Sequence, residues 1–149
     1  MIRYCFVLLV FLGPKSTTAQ DKIGDMQLII ETVEDYFYGY IERDIAKLNS
    51  AFDTENGIMK IVDKTKEGQE ISHNNLFKDI VPKWAANEQL STEAKKNCTL
   101  KFLNLEIIEG TLAISTIEMK IEQTVFIDVL SLQKLNNAWK ITNKMYVVK

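Results

Sequence analysis

The sequence predicts an α+β domain in which N-terminal helices pack on a strongly bent antiparallel sheet. Three observations carry that expectation: an apolar stripe at helical spacing between residues 25 and 42, strand-like alternation from Cys98 onward, and turn signals that fold this second half back on itself. At 149 residues, 46% hydrophobic and 26% charged, the chain has the composition of one globular domain able to bury a core.

The residues ahead of that domain differ in character. Met1 to Arg3 is short and basic, Tyr4 to Gly13 is apolar, and Thr17, Thr18 and Ala19 are small, which is the pattern of a secretory signal peptide cleaved after Ala19. The apolar run falls well short of the roughly 18 to 20 residues a membrane helix needs, and Pro14 ends it. Cys5 precedes the run instead of following it, the wrong place for a lipid-bearing cysteine. The expectation is a leader over 1–19, a single domain over 20–149, and a secreted or periplasmic mature chain without membrane attachment.

Met26, Ile29, Ile30, Val33, Phe37, Tyr40 and Ile41 fall on one face of a helix over 25–42, with Glu31, Glu34, Asp35, Tyr38 and Glu42 opposite. Gly39 weakens its end. Asp44 can then cap a short second helix with Ile45, Leu48 and Phe52 inward. Asn56 and Gly57 mark a turn before a β-rich run over 58–64, and Lys66, Glu67 and Gly68 mark another before a short strand over 69–71. Ser72 has the character of an N-cap, with Ile71 and Leu76 placed as a hydrophobic staple, so a third helix is expected from His73 with Leu76, Phe77, Ile80 and Trp84 inward. Pro82 should kink or end it. The run over 87–97 is polar and reads as a loop holding at most a helical turn.

From Cys98 the chain reads as a meander, with turns at Glu109–Gly110, near Glu122–Gln123, and at Asn136–Asn137, where asparagine tolerates the positive φ of a tight hairpin. If Ile121 pairs with Thr124, Met119 faces Phe126 and Ile117 faces Asp128. If Leu135 pairs with Ala138, Leu132 faces Ile141, Leu130 faces Asn143 and Asp128 faces Met145. Both registers put the Asp128 carboxylate on an otherwise apolar inner face, where it needs a partner or water. The apolar residues also change faces along the first two strands: Leu100, Phe102, Ile117 and Met119 lie on one side, Leu105, Ile107, Leu112 and Ile114 on the other. A second copy covering the outer face explains that switch more simply than a local bulge, so a homodimer is expected.

Several function classes are excluded by composition. Without the leader the chain keeps 16 basic against 20 acidic residues, the wrong balance for nucleic acid. Its lysine cluster over 60–66 and 95–96 is interleaved with glutamates. Cys98 is then the sole cysteine, which rules out an internal disulfide, and its place on a strand face with Leu100 and Phe102 reads as a packed thiol. Asn97, Cys98 and Thr99 spell a glycosylation acceptor that matters only in a eukaryotic host. With one histidine, His73, there is no zinc set, and Asp53, Glu55 and Asp63 lack calcium-loop spacing, so neither a metal nor a cofactor is expected.

This order of elements resembles the nuclear transport factor two-like superfamily, and within it the putative lumazine-binding family. The residues that carry the resemblance are Tyr40, Asp44, Leu48 and Phe52, Gly57, Phe77, Gly110 and Ala113, then Asp128, Leu130, Leu132, Lys134, Trp139, Lys140, Ile141, Lys144 and Tyr146. It implies a cone-shaped roll whose inner sheet face lines a pocket. Asp53 stands where such relatives often carry histidine, so no histidine role transfers there. The superfamily hosts isomerases, dehydratases and cyclases as well as transport factors, so the resemblance fixes no activity.

The candidate ligand-binding residues are accordingly Tyr36, Tyr40, Trp84, Ser115, Phe126, Asp128 and Asn143. The aromatics offer flat apolar walls with polar tips, although aromatics at helical spacing are more often plain core. Asp128 is either a satisfied structural carboxylate or, in an enzyme, a catalytic base with Tyr36 or Tyr40 polarising a carbonyl. Three functions follow: a non-enzymatic binder of a small hydrophobic or aromatic molecule, a proton-transfer enzyme, and an interaction module with a filled cone.

Overall fold

The computed structural model describes residues 19–149; the expected leader lies outside them except for Ala19. The chain runs through α1 (Ala19–Glu42), α2 (Ile45–Ala51), β1 (Ile58–Lys64), β2 (Glu70–Leu76), α3 (Phe77–Ala85), α4 (Thr92–Lys96), β3 (Thr99–Ile108), β4 (Leu112–Ile121), β5 (Thr124–Leu135) and β6 (Ala138–Val148). The strands form one open sheet in the order β2-β1-β6-β5-β4-β3. All pairings are antiparallel except β1 with β6, so the sheet is mixed and the architecture is the α+β roll expected. Among the described residues no helix is long and apolar enough to cross a membrane.

Local chemistry accounts for most of the boundaries. The stripe of α1 buries Ile29, Val33, Tyr36, Phe37 and Ile41, the i, i+4, i+7 spacing of one helical face, while Met26 is exposed. Asp44 caps α2 by accepting hydrogen bonds from the backbone N–H groups of Ala46 at 2.8 Å and Lys47 at 3.2 Å. The Asn136–Asn137 turn carries positive φ at both residues, as a two-residue turn between twisted strands requires, and the three-residue turn over 109–111 carries it at Glu109 and Gly110. Gly39 has a packing role: a Cβ there would lie 2.9 Å from Leu48 Cγ, so its absence lets α2 dock on α1.

Gly57 is the tightest such position, since a Cβ would lie 2.5 Å from Phe77 Cδ2 and 2.6 Å from the Asp53 carbonyl oxygen. Gly57→Ala is expected to cost about 1–3 kcal/mol by overpacking against backbone and a buried ring, read as a lower urea midpoint at unchanged slope.

Three expectations are corrected. His73 lies in β2, not in a helix: it pairs with Ile61 across the β1–β2 hairpin and its Nε2 sits 3.5 Å from Asp63 Oδ2. The Ser72 cap and staple do not form because strand pairing with β1 satisfies the same backbone groups. The third helix starts instead at Phe77, whose N–H donates to the Gly57 carbonyl at 3.0 Å, and runs through Pro82 to Ala85.

The second correction concerns the change of face in the first two long strands. Only β3 is irregular, with a one-residue shift between Phe102 and Asn104. That bulge returns Leu105 and Ile107 to the core side, opposite Ser115 and Ala113, while β4 stays regular and leaves Leu112 and Ile114 facing outward at 43% and 40% exposure.

The third correction is the β5–β6 register. Leu132 pairs with Ile141 as expected, but a shift between Ser131 and Leu132 makes Asn143 pair with Ser131, Lys144 with Leu130 and Tyr146 with Asp128. One extra residue on β6 exchanges the faces of everything beyond it. Lys144, not Asn143, therefore shares the inner face with Asp128.

The base of the cone is tied by a buried polar cluster. Asp25 on α1 accepts from Lys134 Nζ at 2.6 Å and from Trp139 Nε1 at 3.0 Å. Burial alone would raise the Asp25 pKa; the two hydrogen bonds and the lysine charge outweigh it and hold the carboxyl below the ordinary 3.8. Where the folded pKa is depressed, the unfolded chain binds more protons, so stability is complete above about pH 4 and is lost as pH falls through the folded value. Asp25→Asn should flatten that acid limb in urea melts between about pH 2 and 5, with little change in the slope of stability against pH near neutrality.

Candidate functional site

The inner face converges on Asp128. The Tyr36 hydroxyl, projecting from α1, donates to Asp128 Oδ2 at 2.8 Å, and the Lys144 ammonium from β6 pairs with the same oxygen. Asp128 is fully buried and Lys144 is 4% exposed. A buried ion pair of this kind persists only when each charge is compensated, and here compensation is partial, because Asp128 Oδ1 has no protein partner. Burial, the Asp128 charge and the hydrogen bond to it raise the Tyr36 pKa well above its ordinary 10.0, so the phenol remains a neutral donor. Burial lowers the Lys144 pKa from 10.5, with the Asp128 charge and hydrogen bond opposing it.

Above the pair lies a pocket of about 90 Å³ lined by Tyr36, Tyr40, Met59, Trp84, Met119, Phe126, Lys144 and Tyr146. Trp84, carried by α3, stacks on Tyr36 with ring centroids 6.2 Å apart and meets Tyr40 edge-on at 5.8 Å. Phe126 and Tyr146 form the opposite wall, 6.0 Å apart. Lys144 Nζ sits 5.3 Å from the Tyr36 ring centroid and 4.9 Å from that of Tyr146, a placement in which the ring faces partly offset the desolvation of the cation.

The structure thus brings Tyr36, Tyr40, Trp84 and Phe126 to one pocket. Asp128 lies behind Lys144 and Tyr36, not among the lining residues. Ser115 is fully buried elsewhere on β4 and donates to the Asn104 carbonyl at 3.1 Å, bracing the β3 bulge. Asn143 shares its register position with Ser131, away from Asp128, and its Oδ1 is buried without a partner. Lys144, Tyr146, Met59 and Met119 were missed as lining residues. A signal for the first two existed: both belong to the residues that carry the family resemblance, and only a β6 bulge can turn Lys144 inward. Among the described residues no group of three or more histidine, cysteine, aspartate or glutamate side chains is placed to hold a metal ion.

Helices packed on one face of a bent, open sheet around such a pocket define the NTF2-like fold, and solved structures agree. An NTF2-like protein of unknown function from Shewanella baltica OS155 superposes with a TM-score of 0.68 at 19% identity, over 85% of this chain and 95% of that one. One from Methylobacillus flagellatus KT gives 0.65 at 21% identity, over 85% and 94%, and one from Silicibacter pomeroyi DSS-3 gives 0.64 at 17%, over 89% and 99%. Within that fold, the family model described as "Putative lumazine-binding" matches residues 24–147, and the chain belongs to that family. No curated protein matches it.

Proposed function

We propose that the mature chain is a secreted or periplasmic, non-enzymatic domain that binds a small aromatic or apolar molecule in the pocket above Lys144. The observation that carries this reading is the pocket itself: aromatic and methionine walls around one buried ammonium, the mixture of apolar surface and few polar groups that small-molecule sites share. The family description points the same way. A catalytic role for Asp128 is disfavoured by its position, because a base must come within about 2.6–3.2 Å of the proton it removes and Lys144 and Tyr36 cover its approach.

Size narrows the ligand. A cavity of about 150 Å³ is what accommodates benzene, so a pocket of about 90 Å³ takes one ring seated partly in its mouth. Lumazine, a fused two-ring heterocycle, enters only if the half-buried Tyr40 and Trp84 swing outward. Export rests on the residue pattern over 1–19. Dimerisation through the outer sheet face rests on Ile108, Leu112, Ile114, Met145 and Val147, each at least 38% exposed on the side away from the helices; exposed apolar surface of this kind marks interaction sites.

Native mass spectrometry of the protein expressed with its leader and purified from the export compartment tests all three parts together. The expected species is a dimer of chains beginning at Gln20 that carries a small added mass removable by denaturation. A ligand-free monomer that retains Met1 to Ala19 overturns the proposal.

A further inference from the structure

We propose that Lys144 is the polar anchor of the pocket, and that the ligand is a neutral single-ring compound bearing a carbonyl oxygen that accepts a hydrogen bond from Lys144 Nζ. The inference rests on the pocket reading above and adds the chemistry of what is bound.

Lys144 is the sole charged residue in the lining. The Tyr36 hydroxyl is committed to Asp128. An ammonium carries three donors and no acceptor, and among the described residues the acceptor it meets is Asp128 Oδ2. With its side chain 5% exposed, Lys144 gains from any further acceptor that enters the pocket, because a buried donor left unpaired bears its full desolvation penalty. A carbonyl oxygen supplies that acceptor.

Charge decides between a carbonyl and a carboxylate. Asp128 already neutralises Lys144, and its Oδ1 has no donor. A ligand carboxylate would bring a second anion beside an incompletely compensated one in a poorly hydrated site, where like charges repel strongly. A neutral amide or ketone provides the oxygen without that repulsion, while its ring meets Trp84, Phe126 and Tyr146.

Calorimetric titration of the mature protein at neutral pH with benzamide, benzoate and toluene tests this, since the three share a ring and differ in acceptor and charge. Benzamide is expected to bind wild type most tightly and benzoate about tenfold or more weakly, and Lys144→Met should lower benzamide affinity about tenfold or more, the loss of one charge-assisted hydrogen bond. Toluene affinity should hold within about twofold, because its contacts are apolar. Should Lys144→Met fail to fold, the Asp128→Asn/Lys144→Met pair, which removes both charges, is expected to show the same selective loss. Benzamide binding that survives removal of Lys144, or benzoate binding as well as benzamide, overturns the inference. Toluene binding without any preference for benzamide overturns it while leaving the pocket reading intact. If none of the three binds a folded protein, both fall.

Discussion

Asp128→Ala is expected to lower the free energy of unfolding by about 3–5 kcal/mol, the cost of leaving one member of a buried ion pair uncompensated. The substitution strips Lys144 of its acceptor and the Tyr36 hydroxyl of its own, in a site where both side chains are almost fully enclosed. Against a total stability of about 5–15 kcal/mol for a domain, that is a substantial fraction of the whole. The pair itself is a different matter. Replacing both charges by apolar residues of similar size, Asp128→Leu with Lys144→Met, is expected to recover part of the loss, because desolvating two ions offsets much of their attraction while the Tyr36 hydroxyl still lacks its acceptor. Urea melts of Asp128→Ala and of the Asp128→Leu/Lys144→Met double measure this. If Asp128→Ala costs less than about 1 kcal/mol, the range of exposed ion pairs, the enclosed pair does not exist in solution.

Phe52→Ala is expected to have an effect of similar size, about 3–5 kcal/mol, by the loss of a large buried ring and the cavity it leaves. Phe52 ends α2 and bridges to Ile141 of β6, and its ring touches three others, with centroids 4.9 Å from Tyr36, 4.5 Å from Phe77 and 5.5 Å from Trp84. It is therefore the residue through which α1, α2, α3 and the sheet share one core. Thermal unfolding followed by near-ultraviolet dichroism should show a lower midpoint and a weakened aromatic signal before the transition, since Trp84 loses the packing that fixes it.

These two residues also mark how far the sequence was legible. Phe52 and Asp128 were placed correctly because periodicity reports faces well where elements are regular: the stripe of α1, the Asp44 cap and the β4–β5 register all rest on local spacing. The failures come where a non-local choice overrides a local signal. Ser72 with Ile71 and Leu76 is a reasonable helix start in isolation, but the chain over 70–76 finds a pairing partner in β1, and tertiary pairing outweighs local propensity. The bulges near Leu103 and Thr142 are harder still, since neither contains a glycine or proline to announce it. The one near Thr142 replaced Asn143 by Lys144 at the centre of the site, so the residues beside Asp128 were misassigned although Asp128 itself was not.

Small-molecule binding depends on the hollow that stands above the Lys144–Asp128 pair, walled by Met59 and Met119 among others and able to seat one ring in its mouth. The most direct measurement is a titration with toluene and with benzamide followed by the methyl resonances of ¹³C-methionine-labelled protein. Met59 and Met119 line the pocket, whereas Met26 and Met145 are 45% and 42% exposed and lie outside it. Saturable shifts are expected at Met59 and Met119 with at least one of the two compounds while Met26 and Met145 stay still. Shifts confined to Met26 or Met145, or no shift at any methionine with either compound, would contradict binding in that hollow.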